Sequence, residues 1–314
     1  CLTFQIAEQP DPEKMFHKNY AFFSRTSKHM VSHFRSYANW IKSEYLSSSD
    51  PFVVEIGSND GAMMENFSKN KIRHLGIEPS ANVAEEASKY GVNTLCSFFN
   101  LTTAENIVSE YGRADALIAA NVMCHIPDLH DVAKGIDYLL KPMGVVVFEE
   151  PYLGDMIENT AYDQIYDEHV YMFSVHSVHN IFKKYGFELI DVKPQTTHGG
   201  SMRYVLARNG KRSISENVDK QIAYEDEKQL HLNDTYDRFR EQCEISRKKL
   251  VDVLQQHKKD GKRVVGYAAT SKSTTVLNYC GIGPDLIEFI SDTTPIKQGK
   301  YSPGVHIPVH SYDK

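Results

Sequence analysis

The sequence predicts an α/β fold: a Rossmann-like, mostly parallel sheet of seven strands, followed by helices and a second, smaller α/β domain. Three observations predict it. From residue 52 onward short apolar runs alternate with helix-length segments, the order that a parallel sheet with crossover helices requires. Two later runs, Phe187 to Val192 and Met202 to Ala207, lie close enough together to pair antiparallel. A strand, a small polar turn and a helix then recur after residue 262.

Residues 15 to 46 place Met30, Phe34, Tyr37, Ile41 and Tyr45 near a 3.6-residue period, which predicts an amphipathic lead-in helix. An aromatic cluster at Tyr20, Phe22 and Phe23 stands ahead of it. The first strand is Phe52 to Ile56, turning at Gly57 to Gly61. The second, Leu75 to Ile77, ends at Glu78 and Pro79, and the third is Val92 to Leu95. The fourth is Ala116 to Ala119 and the fifth Gly144 to Glu149. An irregular insertion and a helix near residues 176 to 185 precede the antiparallel pair. Residues 214 to 260 carry a rough stripe through Val218, Ile222, Leu232, Phe239, Leu250 and Leu254, expected of one or two connecting helices. Arg263 to Ala268 is then a strand, Ala269 to Ser273 opens a helix, and Leu286 to Ser291 is the next strand. At 314 residues the chain exceeds one ordinary core. The expected division is a lead-in over 1–46, a ligand-binding domain over 47–210, and a connector with a second α/β domain over 211–314.

A net charge of -6 disfavours a long polyanion as partner, because nucleic-acid binders gain affinity from clustered Lys and Arg. No window approaches the roughly 20 apolar residues of a spanning helix, and no basic start with an apolar run marks a signal peptide. Five scattered cysteines without a Cys-x-x-Cys pair suggest reduced thiols. The expectation is a cytoplasmic monomer acting on a small molecule, away from membranes. The chain opens on Cys1 rather than Met and stops at Lys314, as a fragment would, with the last domain incomplete.

The segment Glu55, Ile56, Gly57, Ser58, Asn59, Asp60, Gly61 joins a strand to a helix, where glycine lets the backbone approach a ligand closely. It lacks the three-glycine spacing of a dinucleotide fingerprint, so a pyrophosphate cradle is disfavoured. A zwitterionic methionine moiety suits it better, with Glu55 and Asp60 offsetting an amino group and a sulfonium. Glu78, about 20 residues on at the end of the second strand, is placed for a ribose diol. Five alternating units with an antiparallel cap give the strand order of a class I methyltransferase, and the implied cofactor is S-adenosylmethionine (SAM). Gly57, Ser58, Gly61, Pro79, Phe98 beside the adenine, and Asn121 at the sheet's carboxyl edge complete the expected cofactor set.

Two histidine-bearing segments follow strands four and five. The first is Asn121 to Pro127, including Cys124, His125 and Ile126; the second runs from Glu149 to His169 and is dense in Tyr, Glu and His. Imidazole titrates near working pH, so such an insertion above a cofactor site can supply a general base. These runs, the lead-in from Met15 and Phe16 to Tyr20, and the stretch from Asp292 to Gly304 together resemble the sugar C-methyltransferases. Members of that family methylate a carbon, usually carbon 3, of a nucleotide-linked 4-keto-deoxysugar.

The resemblance implies a chemistry and a set of roles. A ketone beside the methylated carbon makes its proton removable and its enolate nucleophilic. His169 would be the base, with His125, Glu168, Tyr166 and Tyr20 around the sugar. No metal is needed for the transfer. The family's layout is an amino-terminal zinc module, a methyltransferase domain and a carboxyl-terminal α/β domain that helps hold the nucleotide. Only Cys1 matches that module, so zinc is expected only where the rest of it is present. For a dTDP-type nucleotide the candidates are His198, Gly199, Gly200, Ser201 and Arg203, with Thr270, Ser271, Lys272, Asn278, Lys297 and Tyr301. Alternatives are an O- or N-methyltransferase on a small metabolite, a SAM-binding protein without turnover, and a nicotinamide oxidoreductase.

Overall fold

A computed structural model describes residues 2–312, which divide into two compact units. The first comprises residues up to 153 together with 170–227, and the second 154–169 together with 228–312. The cut differs from the expected boundary at 210. The insertion segment 154–169 belongs to the second unit, and residues 211–227 to the first.

In the first unit a short strand β1 (Phe4–Gln5) and a one-turn helix α1 (Pro12–Met15) precede α2 (Lys28–Tyr45). The side chain of Ser27 caps α2 by accepting from the Met30 N–H at 3.3 Å. The expected helix over 15–46 therefore starts at residue 28, and the residues between α1 and α2 form bends, a turn and a single 3-10 turn. Next come β2 (Phe52–Ile56), α3 (Glu65–Lys69), β3 (Arg73–Ile77), α4 (Ala81–Ser88) and β4 (Thr94–Leu95). They are followed by α5 (Leu101–Tyr111), β5 (Ala114–Ala120), α6 (Leu129–Leu139) and β6 (Leu140–Pro151), after which α7 (Leu153–Glu158) opens the segment that belongs to the second unit. The remainder is β7 (Tyr171–Met172), α8 (Val175–Lys183), β8 (Phe187–Gln195), β9 (Ser201–Arg208) and α9 (Glu216–Glu227).

The seven-stranded sheet runs β4-β3-β2-β5-β6-β9-β8, parallel except where β9 meets β6 and β8. All five residues of β2 are buried, as expected of a parallel strand covered on both faces. Alternate residues enter opposite layers. Phe52, Val54, Val146 and Phe148 join a core with α5, α6 and α8, whereas Val53, Val145 and Val147 join one with α2 and α3. At the sheet edge the third strand is two residues long rather than four, because β4 pairs with β3 alone.

The second unit contains α10 (Asn233–Lys259), β10 (Gly266–Tyr267), α11 (Ser271–Cys280), β11 (Ile290–Asp292) and β12 (Val309–Ser311). Its three strands form a parallel sheet in the order β10-β11-β12 over a small core of Leu254, Leu277, Cys280, Ile282, Ile290 and Ile307. The strands expected over 263–268 and 286–291 shrink accordingly. Only Gly266 and Tyr267 find partners in β11, and the flanking Arg263 and Glu288 form a surface ion pair at 2.7 Å. Cys96, Cys124, Cys243 and Cys280 form no disulfide. Cys1 lies outside the described residues. Among the described residues no helix is long and apolar enough to cross a membrane.

Candidate active site

In the first unit the carboxyl ends of β2, β3, β5 and β6 converge on one edge of the sheet, where ligands bind in open α/β folds. The loop after β2 is clamped to β3: Gly57 and Ser58 donate to the Ile77 carbonyl at 2.8 and 3.1 Å. Gly57 sits at φ +68°, and a Cβ there would come within 2.4 Å of the Val122 side chain, so only glycine fits. Gly61, at φ +72°, closes the turn by donating to the Ser58 carbonyl at 3.0 Å.

Three buried carboxyl groups surround this loop. Glu78 accepts from the Asn59 N–H at 3.0 Å and the Ser80 N–H at 2.8 Å, which aligns it at the end of β3. Its carboxyl lies above the usual range because burial outweighs those hydrogen bonds. Glu55 is pushed well above that range, first by burial and then by the charges of Asp60 and Glu78. Its Oε2, the Ser58 hydroxyl and the Asn121 Oδ1 are buried without hydrogen-bond partners among the described residues. Buried acceptors left open cost stability unless a ligand satisfies them. Donors and positive charge are what they accept, and the ammonium, sulfonium and ribose hydroxyls of SAM provide both. Asn121 itself adopts φ +57°, a conformation that asparagine tolerates better than most residues. Asp60 is also buried: its Oδ2 accepts from the Arg25 N–H at 2.8 Å, and its Oδ1 has no hydrogen-bond partner among the described residues. Phe98, beside the Pro79 segment, is 36% exposed, while its neighbour Phe99 belongs to the core.

The turn Met123–His125 follows β5 and is held by Glu150 from β6. One carboxylate oxygen accepts from the Val122 N–H at 2.9 Å and the Met123 N–H at 2.7 Å. Burial lifts the Glu150 carboxyl to about 7. Burial also lowers His125 to about 4, so its ring is neutral at neutral pH. The Phe16 ring stacks on His125 at 5.7 Å and meets Tyr20 edge-on at 5.4 Å, which brings Tyr20 and His125 into one aromatic group.

Of the residues expected to hold a nucleotide, His198, Gly199 and Gly200 form the positive-φ connection between β8 and β9, and Ser201 donates to the Thr197 carbonyl at 3.0 Å. Arg203 is buried and engaged elsewhere. Its Nε and Nη2 donate to Glu149 Oε2 at 3.1 and 2.8 Å, and its guanidinium lies 3.8 Å from the Tyr37 ring centroid.

In the second unit Tyr166 and His169 face each other, with the hydroxyl 2.8 Å from Nε2. The ring's Nδ1 lies 2.8 Å from the Gln164 carbonyl. A carbonyl only accepts, so Nδ1 carries the proton and, in the neutral ring, Nε2 accepts from Tyr166. Glu168 is half-buried in the same segment. At α11, Thr270 and Ser273 form a reciprocal cap, the Thr270 Oγ1 accepting from the Ser273 N–H at 3.0 Å. Ser271 opens the helix, and burial lowers the Lys272 ammonium despite Asp163. Lys297 donates to the Ala269 carbonyl at 2.7 Å and lies 3.9 Å from Asp292. Asn278 is tied to the Thr274 and Pro303 carbonyls at 2.8 and 3.0 Å, whereas Tyr301 is 65% exposed.

Two family models match the chain: a methyltransferase domain over residues 27–192 and a C-methyltransferase C-terminal domain over residues 196–314. The curated C-methyltransferase NovU of Streptomyces niveus is 31% identical over 312 residues, covering 99% of this chain and 74% of that protein. The chain belongs to the SAM-dependent C-methyltransferases.

SAM is thus the cofactor of this C-methyltransferase, and the open acceptors around the β2 loop fit it. Two solved structures are also similar to the chain. A possible histamine N-methyltransferase from Thermotoga maritima is 21% identical, with 57% of this chain and 89% of that one covered at TM-score 0.41. Magnesium protoporphyrin IX methyltransferase from Synechocystis is 16% identical, with 57% and 83% covered at TM-score 0.43.

Beyond the predicted residues, the C-methyltransferase uses Phe16, Arg25, Asn59, Gln164 and Glu150 to position others. Asn59 lies within the loop motif, Phe16 within the lead-in, and Gln164 and Glu150 within the segment from Glu149 to His169, but none is singled out there. Their positioning contacts run between distant parts of the chain or through the backbone and leave no periodic trace.

Proposed function

We propose that this C-methyltransferase transfers a methyl group from SAM to carbon 3 of a dTDP-linked 4-keto-deoxysugar, through a histidine-assisted enolate. The observation that carries the reading is the Tyr166–His169 pair. Methylation at carbon needs a carbon nucleophile, and a neutral imidazole generates one from a sugar whose carbon is acidified by a neighbouring ketone. The Gln164 carbonyl fixes the His169 tautomer so that Nε2 is the basic atom, and the Tyr166 hydroxyl at 2.8 Å shares that atom. His169 takes the proton at Nε2, either directly from the sugar carbon or from the Tyr166 hydroxyl as that oxygen takes the sugar's proton in its place. His125, held neutral, has an N–H that can bond the enolate oxygen. Tyr20 and Glu168 orient the sugar through their oxygens.

When bound, SAM supplies an electrophilic methyl on a sulfonium. Glu78 receives its ribose, Glu55 and Asn121 its charged and donor groups, and Gly57, Ser58, Gly61, Pro79 and Phe98 shape the rest. Asp60 adds a second carboxylate beside the loop through its open Oδ1. For the nucleotide we assign His198 with Gly199, Gly200 and Ser201, and Thr270, Ser271, Lys272 and Tyr301 at the start of α11 and beyond. Arg203, Asn278 and Lys297 complete the set, each also holding a neighbour in place.

The test uses SAM carrying a carbon-13 methyl and a panel of dTDP-4-keto-deoxysugars, with the product followed by NMR and S-adenosylhomocysteine by chromatography. The expected outcome is one labelled methyl on the sugar carbon next to the ketone. A label on oxygen or nitrogen, or no S-adenosylhomocysteine from any sugar, refutes the assignment.

A further inference from the structure

A strap over residues 16 to 26 is clasped to the cofactor loop, and one residue of that loop works on both sides of the clasp. Asn59 sits at φ +49° and donates its backbone N–H to Glu78 Oε2 at 3.0 Å. Its side-chain amide imitates a peptide group toward the strap: Oδ1 accepts from the Ser24 N–H at 2.9 Å, and Nδ2 donates to the Phe22 carbonyl at 3.2 Å. Further bonds seat the strap around this point. Arg25 donates its backbone N–H to Asp60 Oδ2 at 2.8 Å, its Nε to the Asp60 carbonyl at 3.1 Å and its Nη1 to Glu65 at 2.7 Å. The guanidinium also lies 3.5 Å from the Tyr90 ring centroid. Asn82 donates to the Tyr20 carbonyl at 2.9 Å. At its other end the strap carries Phe16 and Tyr20, which group with His125.

We propose that Asn59 is a positioning residue for methyl transfer: its side-chain amide holds the strap, and with it Tyr20 and Phe16, in register with the loop that Glu78 organises. Two features favour this over simple packing. The loop's own geometry does not need the asparagine side chain, since glycine adopts the same φ at no cost. The amide satisfies the strap's backbone at two points two residues apart, so it fixes the strap's position along the loop. The inference rests on the reading of Tyr20 and His125 as groups that face the sugar.

The variant that separates the roles is Asn59→Gly, which keeps the backbone N–H to Glu78 and deletes both strap bonds. Turnover, SAM affinity by calorimetry and tryptic cleavage after Arg25 are measured on the full chain. Loss of two hydrogen bonds of ordinary worth lowers kcat by about 30-fold. The dissociation constant of SAM changes by less than about threefold while Glu78 keeps its partners, and cleavage after Arg25 in the presence of SAM speeds up by about tenfold. Asn59→Asp keeps the acceptor for Ser24 but sets a carboxylate against the Phe22 carbonyl, so its cleavage rate falls between the two. The proposal is overturned if Asn59→Gly turns over and resists trypsin like the parent, or if kcat and SAM affinity fall together by the same factor. Should no sugar in the panel be methylated, the reaction reading alone fails, because the trypsin contrast with SAM still supports or overturns the clasp.

Discussion

Replacing Arg203 by methionine strands a carboxylate inside the protein. Glu149 is fully buried; its Oε2 faces Arg203 at 2.8 and 3.1 Å, whereas its other partners, His33 at 2.7 Å and Thr197 at 3.0 Å, both bind Oε1. Breaking one side of a buried pair costs about 3 to 5 kcal/mol, chiefly because the remaining charge is left uncompensated. At about 2 to 4 °C per kcal/mol for a unit of this size, Tm falls by about 6 to 20 °C. The sign with pH follows from the parent carboxyl. Burial alone would raise it, but the His33 hydrogen bond and the Arg203 charge outweigh burial and hold it below its usual range. A lowered carboxyl stabilises the fold above the ordinary carboxylate range and loses that contribution on acidification. The Arg203→Met defect is therefore largest near neutrality and narrows as Glu149 protonates. Scanning calorimetry at pH 7.5 and 4.5, with Glu149→Gln/Arg203→Met as the charge-free partner, measures it. A variant that melts like the parent yet binds the nucleotide sugar weakly would show instead that Arg203 is a substrate ligand.

Three further outcomes are expected. His169→Ala lowers kcat by about 10²- to 10⁴-fold, the range for a lost general base, and leaves SAM affinity nearly intact by calorimetry; equal losses in both would point to a fold defect. Glu78→Ala weakens SAM binding by about 10- to 150-fold, the worth of hydrogen bonds to a charged group, and an unchanged dissociation constant would remove Glu78 from the cofactor site. For Glu150, with its carboxyl raised to about 7, ionisation in the fold is unfavourable, so stability is lost as pH rises through the window between the ordinary range and that value. Glu150→Gln should match the parent in Tm at pH 5 and exceed it at pH 8, by up to about 3 kcal/mol at 1.36 kcal/mol per pKa unit. A Tm difference that is the same at both pH values contradicts this.

The sheet was legible because its central strands are buried on both faces. Residues 52–54 and 116–119 read as short apolar runs, as strands of a covered parallel sheet do. Edges were less legible: β4 and β10 pair over two residues each, and what ends them is a missing neighbour rather than a residue type. The domain boundary was hidden for a similar reason, since residues 154–169 follow a first-unit strand in sequence yet cluster with residues beyond 228.

Within the site, the acids at strand ends were legible from position, because Glu55 and Glu78 close their strands at the ligand-binding edge. Their neighbours were not. Asp60 has a partner that its position in the loop does not reveal, Arg25, 35 residues earlier. Arg203 likewise has a partner, Glu149 opposite on β6, at a register position that only strand pairing reveals. Glu149 and Glu150 are adjacent, yet strand alternation sends one to the ion pair with Arg203 and the other to the turn bearing His125.

Hydrogen exchange at the sugar carbon tests the central claim most directly, because it isolates proton removal from methyl transfer. The enzyme is mixed in deuterated water with S-adenosylhomocysteine and the dTDP-4-keto-deoxysugar, and the proton at carbon 3 is followed by NMR. The account predicts enzyme-dependent loss of that signal alone, abolished in His169→Ala and slowed in Tyr166→Phe. Exchange that proceeds unchanged in His169→Ala, or methylation of a sugar whose carbon 3 proton never exchanges, contradicts it.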